Sequence, residues 1–256
     1  ITHVSPNQEH DGLHIARAAQ TLNPETLKTE LTDAGNPSLA LESLARMQGF
    51  DTSASHTAYA DAHNSLMILR IIKNKHKDNW ETFLKTSTKA SVETLLKREG
   101  IYSIFENVKG RNMMYLACTL HPNHCFHERY ESWGYLWDCR RNPEPFLDLS
   151  VNQLRDTLKQ FSPKALRVLK TNKAPIVLDK EFALKQKPYS DLELSTILKR
   201  AKMVRENEKF CKNIQTINRE IADEKEQTKS QEDIVQEETL YEKFIPNKDT
   251  ALFKTW

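Results

Sequence analysis

A histidine and an aspartate separated by four residues could take part in phosphodiester hydrolysis. They are His56 and Asp61, in the segment His56-Thr57-Ala58-Tyr59-Ala60-Asp61 at the start of a predicted helix. Hydrolysis assisted by two divalent ions needs carboxylates that hold the metals and a base that deprotonates water. Asp61 is thus a candidate metal ligand and His56 a candidate general base. The same short pattern also fits a surface histidine followed by an aspartate that interacts with the helix dipole.

A second group of residues has the composition of a metal site. Its members are Cys118, His121, His124, Cys125, His127 and Cys139. Their spacing departs from that of zinc fingers, since there is no C-x2-C pair and His124 is adjacent to Cys125. A turn between two strands is the alternative interpretation of this segment.

A third group combines basic and aromatic side chains, the types that bind single-stranded nucleic acid through charge and base stacking. The candidates are Lys109, Arg111, Tyr115, Lys170, Lys173 and Arg205. Taken singly, each is also compatible with an ordinary core or surface position.

The elements that position these residues change in character along the chain. Apolar periodicity predicts helices over 11–23, over 39–48 with Ser38 as its cap, and from a cap at Ser55 or Thr57 to about Lys75. A lysine-rich stretch then indicates a domain boundary near residue 76. Residues 80–98 are again predicted to be helical.

Short β-type segments follow, and they predict a small barrel or a curled antiparallel sheet. The predicted strands are 101–105, 113–120, 133–139, 146–149, 166–169 and 175–178. A helix started by Ser150 is predicted over 151–161, and a long helix or a pair of helices over 191–226. The last part of this region is basic first and acidic afterwards, which fits either helix surface or an anion-binding element with a solvated linker.

Composition excludes several classes of protein. No stretch approaches the roughly 20 apolar residues of a membrane span, and no signal peptide is visible. The four cysteines are too scattered for a disulfide framework. We therefore expect a cytoplasmic protein without a membrane partner.

An ordered series of segments runs along nearly the whole chain. These are Asp11 to Ala18, Leu22 to Glu25, Pro37 to Leu44, His56 to Asp61, Gly110 to Asn112, Leu120 to Pro122, Asp148 to Arg155, Asn172 to Val177, Met203 to Asn207 and Glu238 to Phe244. Taken in this order, the segments resemble the bacterial exonuclease I family. His56 and Asp61 fall where that family has the last motif of the DEDDh class of nucleases.

The resemblance implies a fold class and three domains. Residues 1–75 would be the C-terminal part of an α/β, ribonuclease H-like (DnaQ-like) exonuclease domain. Residues 76–223 would form an α+β, SH3-like barrel domain. Residues 224–256 would begin an all-α C-terminal domain.

The resemblance also implies an activity. The family digests single-stranded DNA from the 3′ end in DNA repair and recombination, with two Mg²⁺ ions, and releases 5′-mononucleotides. His56 would be the general base and Asp61 a metal ligand, while Lys109, Arg111, Lys173 and Arg205 would contact DNA. The implied partners are single-stranded DNA and the acidic tail of single-stranded-DNA-binding protein, and we expect a monomer.

Two departures from the family narrow this expectation. The Asp-x-Glu of the first motif and the Asp of the second have no counterpart, so three of four metal carboxylates are missing, and the first residue is Ile1. We therefore expect a partial chain that is inactive alone. The alternative is a non-catalytic module that binds single-stranded nucleic acid through the SH3-like barrel.

Overall fold

The computed structural model describes residues 10–86, 88–162 and 164–229, with side chains up to residue 227. The predicted C-terminal helical domain, 224–256, lies mostly outside the described residues. So does the matching segment Glu238 to Phe244.

Five helices precede the sheet: α1 (Gly12–Leu22), α2 (Leu41–Met47), α3 (Ala58–Lys75), α4 (Lys77–Leu84) and α5 (Lys89–Lys97). The Asp11 carboxylate caps α1 by accepting a hydrogen bond from the backbone N–H of Leu13 at 2.9 Å. This contact satisfies a donor that the first helical turn leaves free. The predicted helix over 11–23 is thereby confirmed.

Two predictions in this region are wrong. Helix α2 begins at Leu41 without a side-chain cap, because Ser38 lies too far upstream and accepts only from the backbone of Ala40. The predicted helix over 80–98 is two helices. Thr88 and Ser91 form a capping box that satisfies the backbone at the start of α5 and so begins a new helix there.

Five strands form one antiparallel sheet in the order β4-β3-β2-β1-β5. They are β1 (Ile101–Val108), β2 (Arg111–Thr119), β3 (Trp133–Asp138), β4 (Leu166–Lys170) and β5 (Val177–Asp179). The strand predicted over 146–149 is wrong. A 3-10 helix at Glu144–Phe146 leads into a turn there, in which the backbone N–H of Leu149 donates to the carbonyl of Phe146 at 3.4 Å instead of to a neighbouring strand.

Four helices follow or interrupt the later strands: α6 (Val151–Gln160), α7 (Lys180–Leu184), α8 (Leu194–Glu206) and α9 (Glu208–Lys229). Ser150 caps α6 as predicted, in a capping box with Gln153. The predicted long helix or pair is a pair, because Asn207 separates the helices. Its side chain accepts a hydrogen bond from the backbone N–H of Phe210 at 2.8 Å.

Strand β2 contributes alternately to two cores, as expected when helices cover both faces of a sheet. Leu116 and Cys118 belong to a core that includes Phe210 of α9, whereas Tyr115 and Ala117 lie in a core with α5.

A third core joins α1, α3 and α4 to β5 through Ile15, Ile68, Phe83 and Leu178.

The predicted mixture of helices with an antiparallel sheet is confirmed. Among the helices that the structure describes, none is long and apolar enough to cross a membrane.

Candidate active site

The N-terminus of α3 brings His56 and Asp61 together. Thr57 caps the helix by accepting a hydrogen bond from the backbone N–H of Ala60 at 3.3 Å. Asp61 lies in the first turn, and its Oδ1 accepts from the backbone N–H of His56 at 3.3 Å. The aspartate therefore fixes the main chain that carries the histidine.

His56 has a left-handed backbone, with φ of 71°. Residues other than glycine adopt this region rarely, although histidine is among the types enriched there. Backbones of this kind cluster at functional sites, where the surrounding structure maintains them. Here the hydrogen bond to Asp61 contributes to maintaining it.

The imidazole of His56 is open to solvent, with 86% of its side chain exposed. Its Nε2 lies 3.6 Å from Oε2 of Glu42, a residue of the first turn of α2. An accessible imidazole beside a carboxylate is the arrangement of a candidate base whose ring a neighbouring group can orient.

The described residues supply only part of a two-metal site. Asp61 is half-buried and keeps Oδ2 outside the bond to His56, so it fits one ligand position. Among the described residues, the one group of three or more candidate ligands lies elsewhere, at His121, His124 and Glu208. The structure therefore places Asp61 in the first turn of α3, and the described residues assemble no complete two-ion centre around it.

Lys109 and Arg111 lie at the hairpin between β1 and β2. Lys109 and Gly110 have φ values of 51° and 82°, and Val108 pairs with Arg111 on either side of them. Two consecutive left-handed residues are typical of a type I′ turn, whose twist matches that of the strands. The turn leaves Lys109 and Arg111 exposed.

Arg111 also lines a groove of about 400 Å³ between α1 and the sheet. Its other walls include Gln20 and Thr21 of α1, together with Arg140 and Lys187, and no acidic side chain. Arg140 is paired with the buried Asp138 at 3.1 Å. Arg111 has no such partner among the described residues, which makes it the cation that the groove offers most freely to an anion.

Lys173 and Arg205 stand apart from this groove. Lys173 is exposed at the end of a 3-10 helix, Thr171–Lys173, that follows the edge strand β4. The Arg205 guanidinium donates to the carbonyls of Lys97, Arg98 and Leu120 and to the Thr119 hydroxyl. These contacts assign Arg205 to the packing of α8 against the sheet rather than to an open DNA surface.

Tyr115 is likewise internal. It is 2% exposed, and the Arg167 guanidinium lies 3.5 Å from its ring centroid. Four members of the basic and aromatic set are exposed: Lys109, Arg111, Lys170 and Lys173. The ammonium group of Lys170 lies over the Trp133 ring.

The interpretation of the cysteines as zinc ligands is wrong for the described residues. All four thiols are buried and unpaired, and the candidate ligand cluster contains none of them. Burial raises the pKa of the Cys125 thiol to about 11, so in the metal-free chain this group is a protonated thiol at neutral pH.

Relatives in sequence are exonucleases. The chain is 25% identical over 181 residues to exodeoxyribonuclease I of Haemophilus influenzae, covering 67% of this chain and 38% of the relative. It is 32% identical over 69 residues to exodeoxyribonuclease I of Escherichia coli, covering 27% and 14% of the two chains. No protein-family model matches.

Solved structures share the fold. E. coli exonuclease I in complex with a dT13 oligonucleotide matches with a TM-score of 0.66 and 18% identity, over 99% of this chain and 54% of that one. The ExoI/SSB-Ct complex matches with a TM-score of 0.67 and 19% identity, over 99% and 53%. The chain is a relative of bacterial exonuclease I. It spans 38% of the length of its H. influenzae relative and about half of these solved chains.

Sequence reasoning about this exonuclease I relative missed Glu42 and the groove beside α1. Glu42 lies fourteen positions before His56, on another helix, so no local spacing signals the pair. The groove requires α1 to pack against β2, which lies about ninety residues later, as the hydrogen bond from Arg17 to Asn112 shows. Only an expectation for the whole fold could have indicated either feature.

Proposed function

We propose that this chain is part of a 3′-to-5′ exodeoxyribonuclease that digests single-stranded DNA and releases 5′-mononucleotides. The observation that supports the proposal is the pairing of His56 with Asp61 at the start of α3, in a fold similar to that of exonuclease I. The proposed domains are residues 1–75, 76–223 and 224–256, with the sheet in the second of them.

In this proposal His56 is the general base. Its exposed imidazole accepts the proton of the attacking water, and the Glu42 carboxylate, 3.6 Å from Nε2, orients the ring. Asp61 orients His56 through the backbone N–H and offers its free oxygen as one ligand for Mg²⁺. Two Mg²⁺ ions, when bound, would neutralise phosphate charge and activate the attacking water.

The DNA strand would follow the groove beside α1. Arg111 is exposed there, and Lys109 precedes it on the same hairpin. Cations along such a path attract phosphates of any sequence. The proposed protein partner is the acidic tail of single-stranded-DNA-binding protein, the type of partner named in one of the similar structures.

One carboxylate cannot hold two Mg²⁺ ions, so hydrolysis requires carboxylates beyond Asp61. We therefore expect the 256-residue chain to bind single-stranded DNA and to release no mononucleotides by itself.

The test compares this chain with the protein expressed from the whole reading frame that contains it. Each is incubated with labelled single-stranded DNA and Mg²⁺, and binding and release of mononucleotides are measured. The proposal expects release only by the whole-frame protein. Binding without release by both proteins would leave the non-catalytic binding module as the function.

A further inference from the structure

Three side chains that the proposed nuclease chemistry does not use meet where the loop after β2 contacts α9. His121 precedes the 3-10 helix Pro122–His124, His124 is its last residue, and Glu208 is the first residue of α9. One potential ligand atom from each lies within 4.8 Å of the other two. We call these three residues the His-His-Glu cluster.

The hydrogen bonds of Gln215 fix the tautomer of His124. The Gln215 amide nitrogen donates to the carbonyl of Phe126 at 2.9 Å, so its Oε1 is the atom that faces His124. This oxygen lies 2.9 Å from Nδ1 of His124. Because the amide oxygen only accepts, Nδ1 must carry the hydrogen.

This tautomer leaves two acceptors facing each other. In a neutral His124, Nε2 presents its lone pair to Oε1 of Glu208, 3.2 Å away. Two acceptors at that distance repel unless a cation lies between them. The cation is either a proton on the ring or a bound metal ion.

The surroundings favour a metal ion. The second imidazole of the cluster, His121, has its ring centroid 5.8 Å from that of His124. A proton shared between His124 and Glu208 would not involve it. A metal ion would bind both rings, and its bond to His121 would replace the hydrogen bond that Nδ1 of this ring accepts from the backbone N–H of Asn123 at 3.3 Å. In known metal sites, the ring nitrogen of a histidine that does not bind the metal usually donates a hydrogen bond to an oxygen atom. Nδ1 of His124 donates to Gln215 in the same way.

Exposure and distances are also suitable. His124 has 15% of its side chain exposed and Glu208 has 59%, so the site is anchored on one side and open to solvent on the other. Ligands of a tetrahedral zinc ion, about 2.1 Å from the metal, lie about 3.4 Å from one another. The pair of His124 and Glu208 already has this separation.

We propose that His121, His124 and Glu208 bind one divalent transition-metal ion of the zinc class. Two imidazoles and a carboxylate are a ligand set that zinc uses, with water in the fourth position. Imidazole ligands disfavour Mg²⁺, which prefers oxygen. The ion would link the β2–β3 connection to the start of α9 and, by binding only the folded chain, would stabilise it.

The test measures binding of Zn²⁺ to the metal-free, untagged 256-residue chain by calorimetry, in excess Mg²⁺. Binding of Co²⁺ is followed by its visible absorption. We expect one equivalent to bind and Tm to rise by a few degrees. We expect His124→Asn and Glu208→Gln each to weaken binding at least about tenfold, and Gln215→Leu by about 10-fold to 100-fold.

The matched controls are His63→Asn, at an exposed histidine of α3, and Glu206→Gln, at the exposed acid two residues before Glu208. Both should bind Zn²⁺ as the unaltered chain does. Equal affinity in Glu208→Gln, whose side chain is exposed and whose folding is checked by circular dichroism, would overturn the proposal. So would the absence of stoichiometric binding. Neither result depends on nuclease activity.

Discussion

His56 combines a reactive side chain with an uncommon backbone. Its backbone is left-handed and its imidazole is exposed to solvent, while the Asp61 carboxylate accepts a hydrogen bond from its N–H. The sequence predicted the pair but not this conformation, because φ depends on the turn between Asp51 and Thr57 rather than on the spacing of two residues. Substitutions at this position must therefore separate chemistry from backbone strain.

His56→Asn makes this separation, because asparagine tolerates the left-handed region but cannot act as a base near neutral pH. In the whole-frame protein we expect the rate at saturating DNA to fall about 10²-fold to 10⁴-fold. The Kd for single-stranded DNA and Tm should change little. His63→Asn, at an exposed position of the same helix, is the control, and an unchanged rate in His56→Asn would exclude a role as base.

Arg205 shows which contacts residue-level prediction from sequence leaves out. Its basic neighbours suggested a DNA contact, but three of its four acceptors are carbonyls of the main chain, up to 108 positions away. Contacts of that range cannot be inferred from local charge.

We expect Arg205→Lys to lower the free energy of unfolding by about 2–3 kcal/mol, because one ammonium cannot replace a guanidinium that donates to four acceptors. Urea denaturation measures this change. Lys202→Met, at an exposed site on the same helix, should change it by less than about 0.5 kcal/mol. Unchanged stability with weakened DNA binding would instead restore Arg205 as a DNA contact.

At the scale of elements, two caps were predictable and strand order was not. Thr57 and Ser150 cap helices because their side chains satisfy backbone donors within three residues, whereas the predicted cap Ser38 lies too far upstream of α2. The order β4-β3-β2-β1-β5 depends on pairing over long separations, such as that of Tyr102 with Asp179. No local pattern encodes such a pairing.

The β2–β3 connection depends on a buried neutral histidine. His127 is 3% exposed, and its Nε2 donates to the carbonyl of Asn218 in α9. Its Nδ1 accepts from the backbone N–H groups of Arg129 and Tyr130. If Nδ1 of His127 were protonated, its N–H would face the two backbone N–H groups, and these donors would have no acceptor.

Burial lowers the pKa of His127 below its ordinary value of 6.5, although the nearby Glu128 and Asp223 carboxylates act in the opposite direction. Between the lowered pKa and 6.5 the unfolded chain binds more protons than the folded one. Stability contributed by His127 is therefore present above pH 6.5 and is lost as pH falls below it.

Urea denaturation between pH 5 and pH 8 measures this effect. We expect the free energy of unfolding to fall on acidification, and less steeply in His127→Gln, which retains a polar side chain without the titration. His76 is also buried with a lowered pKa, so part of the slope should remain. His63→Gln is the control, and equal slopes in His127→Gln and the unaltered chain would contradict this account.

At the scale of the whole molecule, the fold resembles about half of exonuclease I and the candidate site is correspondingly partial. The ordered series of matching segments predicted this relationship, although His56 and Asp61 alone did not. The groove beside α1 arises only when the helices and the sheet pack together, as the core containing Ile15 and Leu178 shows. Arg111 thus acquires its position from the tertiary fold.

Digestion of end-blocked single strands by the whole-frame protein tests the central claim most directly. With Mg²⁺, we expect mononucleotides to be released from strands with a free 3′ end and a blocked 5′ end, and none from strands blocked at the 3′ end. Release that requires a free 5′ end, or binding of both strands without any release, would contradict the proposal that this chain is part of a 3′-to-5′ exonuclease.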